Sequence, residues 1–241
     1  ILYIPISALN GDMIVDRGEN LPWYDGPALM ELLENIDIDH DLNLVDFRFP
    51  VQWDCRPGTE EHHDFRGYMG RIESGALTVG DPILVLPSGR SSRIRQILTL
   101  GGALMRASAP QSVTLLLEGD MDISRGDMIV KNGDNVSVAK QFDADICWLN
   151  EQPLDLRRKY AIKHTTKTAK ALVSQIQYRV DVNTLERVEG ISQLQMNDIA
   201  RVGVKVQQSL VIDSYPRKRA TGSFIVIDDA THNTLAAGMI V

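Results

Sequence analysis

From Phe47 onward the hydrophobic period of the chain becomes two and stays two. Short runs at 47–53, 65–72, 82–86, 90–98 and 112–118 are bounded by Gly, Pro, Asp and Ser, and a second set follows at 143–149, 158–164, 170–180, 199–210 and 223–228. Strands of this length with turn residues at every boundary specify an all-β architecture. In Ala200, Val202, Val204 and Val206 the apolar residues alternate with Arg201, Gly203, Lys205 and Gln207, so one face is core and the other is wet. Glycines at 67, 70, 75, 80 and 89 fall where a tightly curved sheet needs bends and close backbone approach. Closure into a small barrel removes exposed edges and is the economical solution. The fold expected is mainly β, with two barrels in tandem, 46–138 and 139–241, separated near the turn Asn132-Gly133-Asp134-Asn135.

The first 45 residues read differently. Ile1-Leu2-Tyr3-Ile4-Pro5-Ile6 has strand character, Ser7 to Asp12 is a turn-rich loop, and Gly26-Pro27 starts a helix. Leu29, Leu32, Leu33 and Ile36 then recur at i, i+3, i+4 and i+7, which is one apolar helix stripe ending near Asp37. Residues 1–46 hold ten carboxylates against the single base Arg17, and the acidic stretch to Asp46 reads as a linker. The opening lacks an initiator Met and the marks of a signal peptide, as expected of a chain cut from something longer.

Charge and composition exclude several classes. The net charge of −7 argues against a sequence-independent grip on nucleic acid, which needs a surplus of Lys and Arg. No run of about 18 apolar residues occurs, so no membrane span is expected. Cys55 and Cys147 are far apart and read as reduced core thiols of a cytoplasmic protein. His62 and His63 are adjacent and would diverge on a strand, and His40 lies in the acidic stretch, so no metal site is expected. Asp228-Asp229 reads as turn chemistry. No Gly-x-x-x-x-Gly-Lys-[Ser/Thr] phosphate loop, Asn-Lys-x-Asp base reader or Gly-x-Ser-x-Gly elbow occurs, and no catalytic residue is assigned. Arg157-Arg158-Lys159, Lys163, Lys167 and Lys170 form a basic stretch that reads first as a solvated face.

Several segments carry a family resemblance. Asp64-Phe65-Arg66-Gly67-Tyr68-Met69-Gly70-Arg71 and the following residues to Asp81, with Asp122-Ile123-Ser124-Arg125-Gly126-Asp127, resemble the second domain of translation-factor-type GTPases. Pro22-Trp23-Tyr24-Asp25-Gly26-Pro27, Asp181-Val182-Asn183-Thr184-Leu185-Glu186 and Thr221-Gly222-Ser223-Phe224-Ile225-Val226-Ile227-Asp228 are more discriminating, as is the ending Ala236-Ala237-Gly238-Met239-Ile240. Together they are similar to the large, GTP-binding subunit of bacterial sulfate adenylyltransferase, over essentially the whole chain.

The resemblance implies that residues 1–45 are the last strand, helix and linker of an α/β GTPase domain, followed by elongation-factor-like domains II and III. It implies a guanine-recognition loop at Ser7, Ala8 and Leu9, with the Ala8 amide donating to the base. The intact parent would use GTP and Mg²⁺ and would couple GTP hydrolysis to formation of adenosine 5′-phosphosulfate from ATP and sulfate, while adenylyl transfer belongs to a small catalytic subunit. Residues 1–241 alone are expected to bind no nucleotide. Arg158, Lys163 and Lys167 become candidate contacts to the partner subunit or the GTPase domain. Two rival readings are translation-factor barrels that bind tRNA or the ribosome, and a β-barrel adaptor with no GTPase parent. The acidic balance disfavours the first and the opening segment the second.

Overall fold

The computed structural model describes residues 3–36, 44–56 and 65–241. The chain divides into two compact units, Ile1–Asp41 and Leu42–Val241. His40, His62, His63 and Asp64 lie outside the described residues, as does the acidic stretch 37–43.

The larger unit holds two closed barrels. The first uses β1 (Phe49–Cys55), β2 (Gly67–Arg71), β3 (Ala76–Thr78), β4 (Pro82–Leu86), β5 (Arg90–Thr99), β6 (Gly102–Leu104), β7 (Arg106–Ser108), β8 (Ser112–Leu117) and β9 (Met128–Lys131). Its strands pair in the order β4-β9-β1-β2-β8-β5, and a β4–β5 pairing closes the ring. β6 hangs on β5, and β3 pairs with β7 outside the ring. Alternation along the strands turns Phe47, Phe49 and Val51 inward, where they pack with Ile83, Ile97, Leu115 and Ile129. Every intervening residue therefore faces out, including Arg48.

The second barrel uses β10 (Ser137–Trp148), β11 (Tyr160–His164), β12 (Lys167–Val180), β13 (Arg187–Val188), β14 (Ile199–Ile212), β15 (Ser223–Ile227) and β16 (Thr234–Ile240). The order β11-β15-β16-β10-β14-β12 closes through β11–β12, and β13 extends β12. Ala200, Val202, Val204 and Val206 are buried in its core, as the alternation requires. Trp148 fills one end, edge-on to Tyr160, with its indole N–H donating to the Gln152 carbonyl at 2.8 Å. A buried indole N–H needs such a partner.

Some expectations are corrected. Residues 3–7 belong to no strand, because no described residue offers their backbone a ladder partner. The helix is α1 (Leu29–Asn35), which stops one residue short of the end of its apolar stripe at Ile36, with Ala28 at its N-cap and Pro27 outside. Half of its stripe is uncovered: Leu29 and Leu32 are half-buried, but Leu33 is 55% and Ile36 53% exposed. β3, β6, β7 and β9 have only three or four residues each, too few alternations to register as a period. Cys55 and Cys147 are free thiols, but each is half-buried on an outer wall rather than in a core. Asp46 is no linker carboxylate; it is buried. No helix among the described residues is long and apolar enough to cross a membrane.

Candidate functional site

Two regions concentrate polar groups in defined geometry, one a local loop and the other a seam assembled from residues far apart in sequence. In the smaller unit the chain from Ser7 to Asp16 folds on itself: the Ser7 amide donates to the Asp12 carbonyl (3.1 Å) and the Gly11 amide to the Ser7 carbonyl (2.8 Å). The carbonyls of Met13 and Ile14 then accept from the amides of Leu29 and Met30, both at 2.9 Å, satisfying two donors that a helix start leaves open. The Asp12 side chain is buried and accepts from Asn20 Nδ2 at 2.9 Å. The loop is thereby tied to the helix, and Ala8 sits exposed at its turn with no acceptor for its N–H among the described residues. Ser7 and Ala8 are small, so a planar base can approach the amide.

The second region is the seam between the barrels. Arg48 faces out of the first barrel and is fully buried. Its Nε and one terminal nitrogen donate to the two oxygens of Asp213, each at 2.9 Å, and the same group donates to the carbonyls of Phe47 (3.0 Å) and Asn135 (2.6 Å). Asp213 also accepts from Thr221 Oγ1 at 2.7 Å and Lys218 Nζ at 3.1 Å, which fills its acceptor capacity. Lys218 reaches on to Asp46 at 2.8 Å, where Arg217 also donates at 2.8 Å. Asp134 lies 3.6 Å from Arg48 and accepts the Phe47 amide. Three cations thus face three carboxylates, and the bidentate fork of Arg48 fixes the angle between the barrels.

The proton equilibria follow from this packing. Burial pushes the Asp213 carboxyl up, but hydrogen bonds from Arg48 and Thr221, the Arg48 charge and Lys218 outweigh it and hold the group below the usual carboxylate range. Asp46 behaves alike: burial raises it, but the bond and charge of Lys218, with Arg217 and Arg48, outweigh that and leave it below its ordinary value. His164, at the end of β11, is driven below its ordinary value chiefly by burial, against the bond to the Thr221 carbonyl (2.8 Å) and the Asp213 charge, with Lys167 lowering it further. Its Nε2 must carry the proton, because a carbonyl only accepts.

Apolar contacts complete the seam. Leu86, Met128 and Val130, facing out from β4 and β9, are buried with Val211 of β14. The turn at Gly126, with φ of +95°, lies against Lys167, and a Cβ there would sit 3.1 Å from that of Lys167. In the loop from Asp213 to Gly222 the backbone doubles back so closely that a Cβ on Gly222 would meet Tyr215 Cα at 2.4 Å. Only glycine fits that approach.

The three candidate contact cations fall in different surroundings. Arg158 donates to Asp228 at 2.8 Å and lies over the Tyr160 ring, and Asp228 also accepts the Ala230 amide at 2.8 Å, the turn chemistry expected of it. Lys167 is half-buried beside Gly126. Lys163 is exposed and has no partner among the described residues. Sequence reasoning missed the seam residues Arg48, Asp46, Asp213, Lys218 and Thr221. A single Arg at an outward position of an otherwise apolar strand, Phe47-Arg48-Phe49, was the one available signal. No group of three or more described His, Cys, Asp or Glu residues is arranged to hold a metal.

The chain as a whole is similar to known proteins. Residues 141–241 match the family described as GTP-eEF1A C-terminal domain-like. Sulfate adenylyltransferase subunit 1 of Alteromonas mediterranea is 47% identical over all 241 residues, which cover 50% of that protein. The same subunit of Aliarcobacter butzleri is 48% identical over 240 residues, again 50% of its length. The bifunctional enzyme CysN/CysC of Mycobacterium tuberculosis is 44% identical over 239 residues, 39% of its length. The chain thus spans half or less of these relatives. Among solved structures, sup35 complexed with GMPPNP superposes with a TM-score of 0.73 at 19% identity, over 98% of this chain and 57% of that one. Sup35 complexed with GDP gives 0.74 at 20% identity, over 100% and 58%. At that identity the likeness shows the fold: two consecutive barrels of the elongation-factor type. Along its whole length the chain is thus 44–48% identical to the matching part of proteins named sulfate adenylyltransferase subunit 1 or CysN/CysC, and its C-terminal match and two-barrel fold fit the translation-factor-type GTPase superfamily.

Proposed function

We propose that this chain is the barrel-bearing part of a regulatory GTPase subunit that couples GTP hydrolysis to the formation of adenosine 5′-phosphosulfate from ATP and sulfate. Identity of 47% along all 241 residues with a protein named sulfate adenylyltransferase subunit 1 carries the reading. The adenylyl-transfer residues belong to a separate small subunit, and the pair works in the cytoplasm. GTP and Mg²⁺ act in the rest of the subunit. The domain limits are 1–45 for the end of the GTPase domain, 46–138 for domain II and 139–241 for domain III.

Within this reading the Ala8 N–H selects guanine through its O6 acceptor, and Ser7 and Leu9 shape the loop around the base. One such bond contributes about 0.5–1.5 kcal/mol net. Association costs roughly 4–15 kcal/mol in lost freedom, so residues 1–241 alone hold no nucleotide measurably. The barrels serve as a lever. A lever transmits a displacement only if its parts do not slide, and the buried Arg48–Asp213 fork supports that role. Nucleotide then shifts the lever only through unequal affinity for its two positions. Of the three candidate cations only Arg158 is ion-paired among the described residues, and of the two lysines Lys163 is the exposed one and the better placed to meet a partner.

The test uses the full-length subunit with its small subunit, following adenosine 5′-phosphosulfate formation with and without GTP. GTP should raise the yield, and Ala8→Pro, which deletes the amide donor, should raise the KM for GTP roughly 2–10-fold. Synthesis indifferent to GTP would defeat the proposal.

A further inference from the structure

On the outer wall of the second barrel the strand registers align Ile199, Cys147, Ala237, Ile225 and Lys163 in one row across β14, β10, β16, β15 and β11. Their chain neighbours Ala200, Ile146, Ala236, Val226 and Ile162 are buried in the core, so all five side chains in the row point out. At the usual spacing of about 4.8 Å between strands, the row is about 19 Å long. Met239, in the next row, adds to the apolar floor and is 42% exposed; Ile199 is 39% exposed. With Tyr215 and Ala220 rising at one side, these residues line a groove of about 620 Å³.

The groove's charge is simple. Of its lining residues only Asp145 and Lys163 are charged. Both oxygens of Asp145 are taken by Arg201, at 2.5 and 2.9 Å. Lys163 has no partner among the described residues. What remains is an apolar strip that ends at one free ammonium group. A contiguous exposed apolar patch marks an interaction surface, and apolar centres with polar rims are how protein interfaces are built. A single free cation is too few for a nucleic-acid backbone. The strip also runs along the sheet rather than into the filled interior, whereas small-molecule sites enclose most of their ligand.

We propose that this groove is the docking site of the partner subunit, which lays across it an apolar segment with a carboxylate at the Lys163 end. The inference rests on the reading of the chain as one subunit of a pair. It also places the partner against the loop that locks the barrels: Tyr215 and Ala220 line the groove, while Asp213, Lys218 and Thr221 of the same loop hold Arg48 and Asp46. A partner seated there bears directly on the lever.

The experiment uses the full-length subunit and its small subunit. Cys147 lies in the row and Cys55 on the other barrel, so their alkylation by a maleimide, resolved by peptide mass, gives a footprint with an internal reference. Complex formation should slow Cys147 at least 10-fold and leave Cys55 unchanged. Met239→Glu should weaken association at least 10-fold. Lys163→Glu, at an exposed position without an ion-pair partner among the described residues, should weaken it several-fold and reduce its dependence on salt. Unchanged affinity in the Lys163→Glu and Met239→Glu proteins, or an unprotected Cys147 in the complex, would overturn the proposal. So would protection by a GTP analogue in the absence of the small subunit, which would assign the groove to the chain's own GTPase domain. Failure of the wild-type pair to associate would instead sink the two-subunit reading itself.

Discussion

The seam between the barrels and the loop-helix unit of residues 3–36 are both rich in polar groups, yet they treat them in opposite ways. At the seam every charge is answered inside the chain: Asp213 accepts four hydrogen bonds, and Arg48 is fully buried among its acceptors. In the loop-helix unit the Ala8 amide has no described acceptor, no residue of α1 is buried and the side chains of Leu33 and Ile36 are exposed. A group completed within the chain serves structure, and its removal costs stability. A group left open serves whatever binds there, and its removal costs stability almost nothing. The two regions thus make contrary predictions for substitutions of similar size.

The sharpest break would come at Arg48. Arg48→Met leaves Asp213 buried with only Lys218 and Thr221, and removing one member of a buried pair costs about 3–5 kcal/mol. Denaturant unfolding should show that loss for the 42–241 unit. Adding Asp213→Leu should restore much of it, since exchanging a whole buried pair for apolar groups is often neutral. A single substitution costing under 1 kcal/mol would mean that the seam is wetter than its geometry, and the lever argument would weaken with it.

Gly222→Ala comes next. The added methyl would meet the Tyr215 backbone, which cannot turn aside as a side chain can. Overpacking of this kind costs about 1–3 kcal/mol. The same substitution at Gly89, where a Cβ would meet nothing within 4 Å, separates crowding from conformation: φ there is +74°, so its cost is backbone strain alone. Melting curves of the two variants should differ in a second respect. Only Gly222→Ala should alter alkylation of Cys147, because its loop also walls the groove.

These features were unequally legible in the sequence. The barrels were readable because alternation in runs such as Ala200 to Val206 is local, and burial follows from it residue by residue. The turn at Asp228 was readable for the same reason. The seam was not, because Arg48 and Asp213 are 165 positions apart and no local pattern joins them. Asp46 looked like one more carboxylate of an acidic stretch, and only the fold brings Lys218 to it. The outward row ending at Lys163 was hidden likewise, since its members come from five strands whose registers the sequence does not state. The Ala8 loop could be named from resemblance, but its free amide is a fact of geometry.

Acid should act on the seam in two steps, since His164, Asp46 and Asp213, all with shifted proton equilibria, belong to it. His164 has its folded value depressed below the ordinary value near 6.5, so the unfolded chain binds the extra proton first. Stability should therefore begin to fall as pH drops through about 6.5, until the buried ring is itself protonated. Asp46 and Asp213 are also depressed, and their contribution is present above the unfolded value near 3.9 and lost as pH falls through their folded values. Melting temperature against pH should show both declines, and His164→Gln should erase the upper one alone. A decline that survives in His164→Gln would assign it to another group.

The smallest effect is the one that sharpens the comparison most. Leu33 is the most exposed residue of the α1 stripe, and replacing a side chain already in water removes little burial. Leu33→Ser should change the stability of residues 1–241 by no more than about 0.5 kcal/mol, the range of surface substitutions, with part of that from the weaker helix propensity of Ser. On the proposal that α1 closes a GTPase domain, the stripe is buried against that domain in the full-length subunit, and a buried Leu reduced to a small polar residue costs about 2–5 kcal/mol. Comparing the substitution in the two lengths by thermal unfolding therefore measures how much of α1 belongs to the GTPase domain. A near-zero effect in both would leave the apolar stripe without a structural purpose and would detach this helix from that domain.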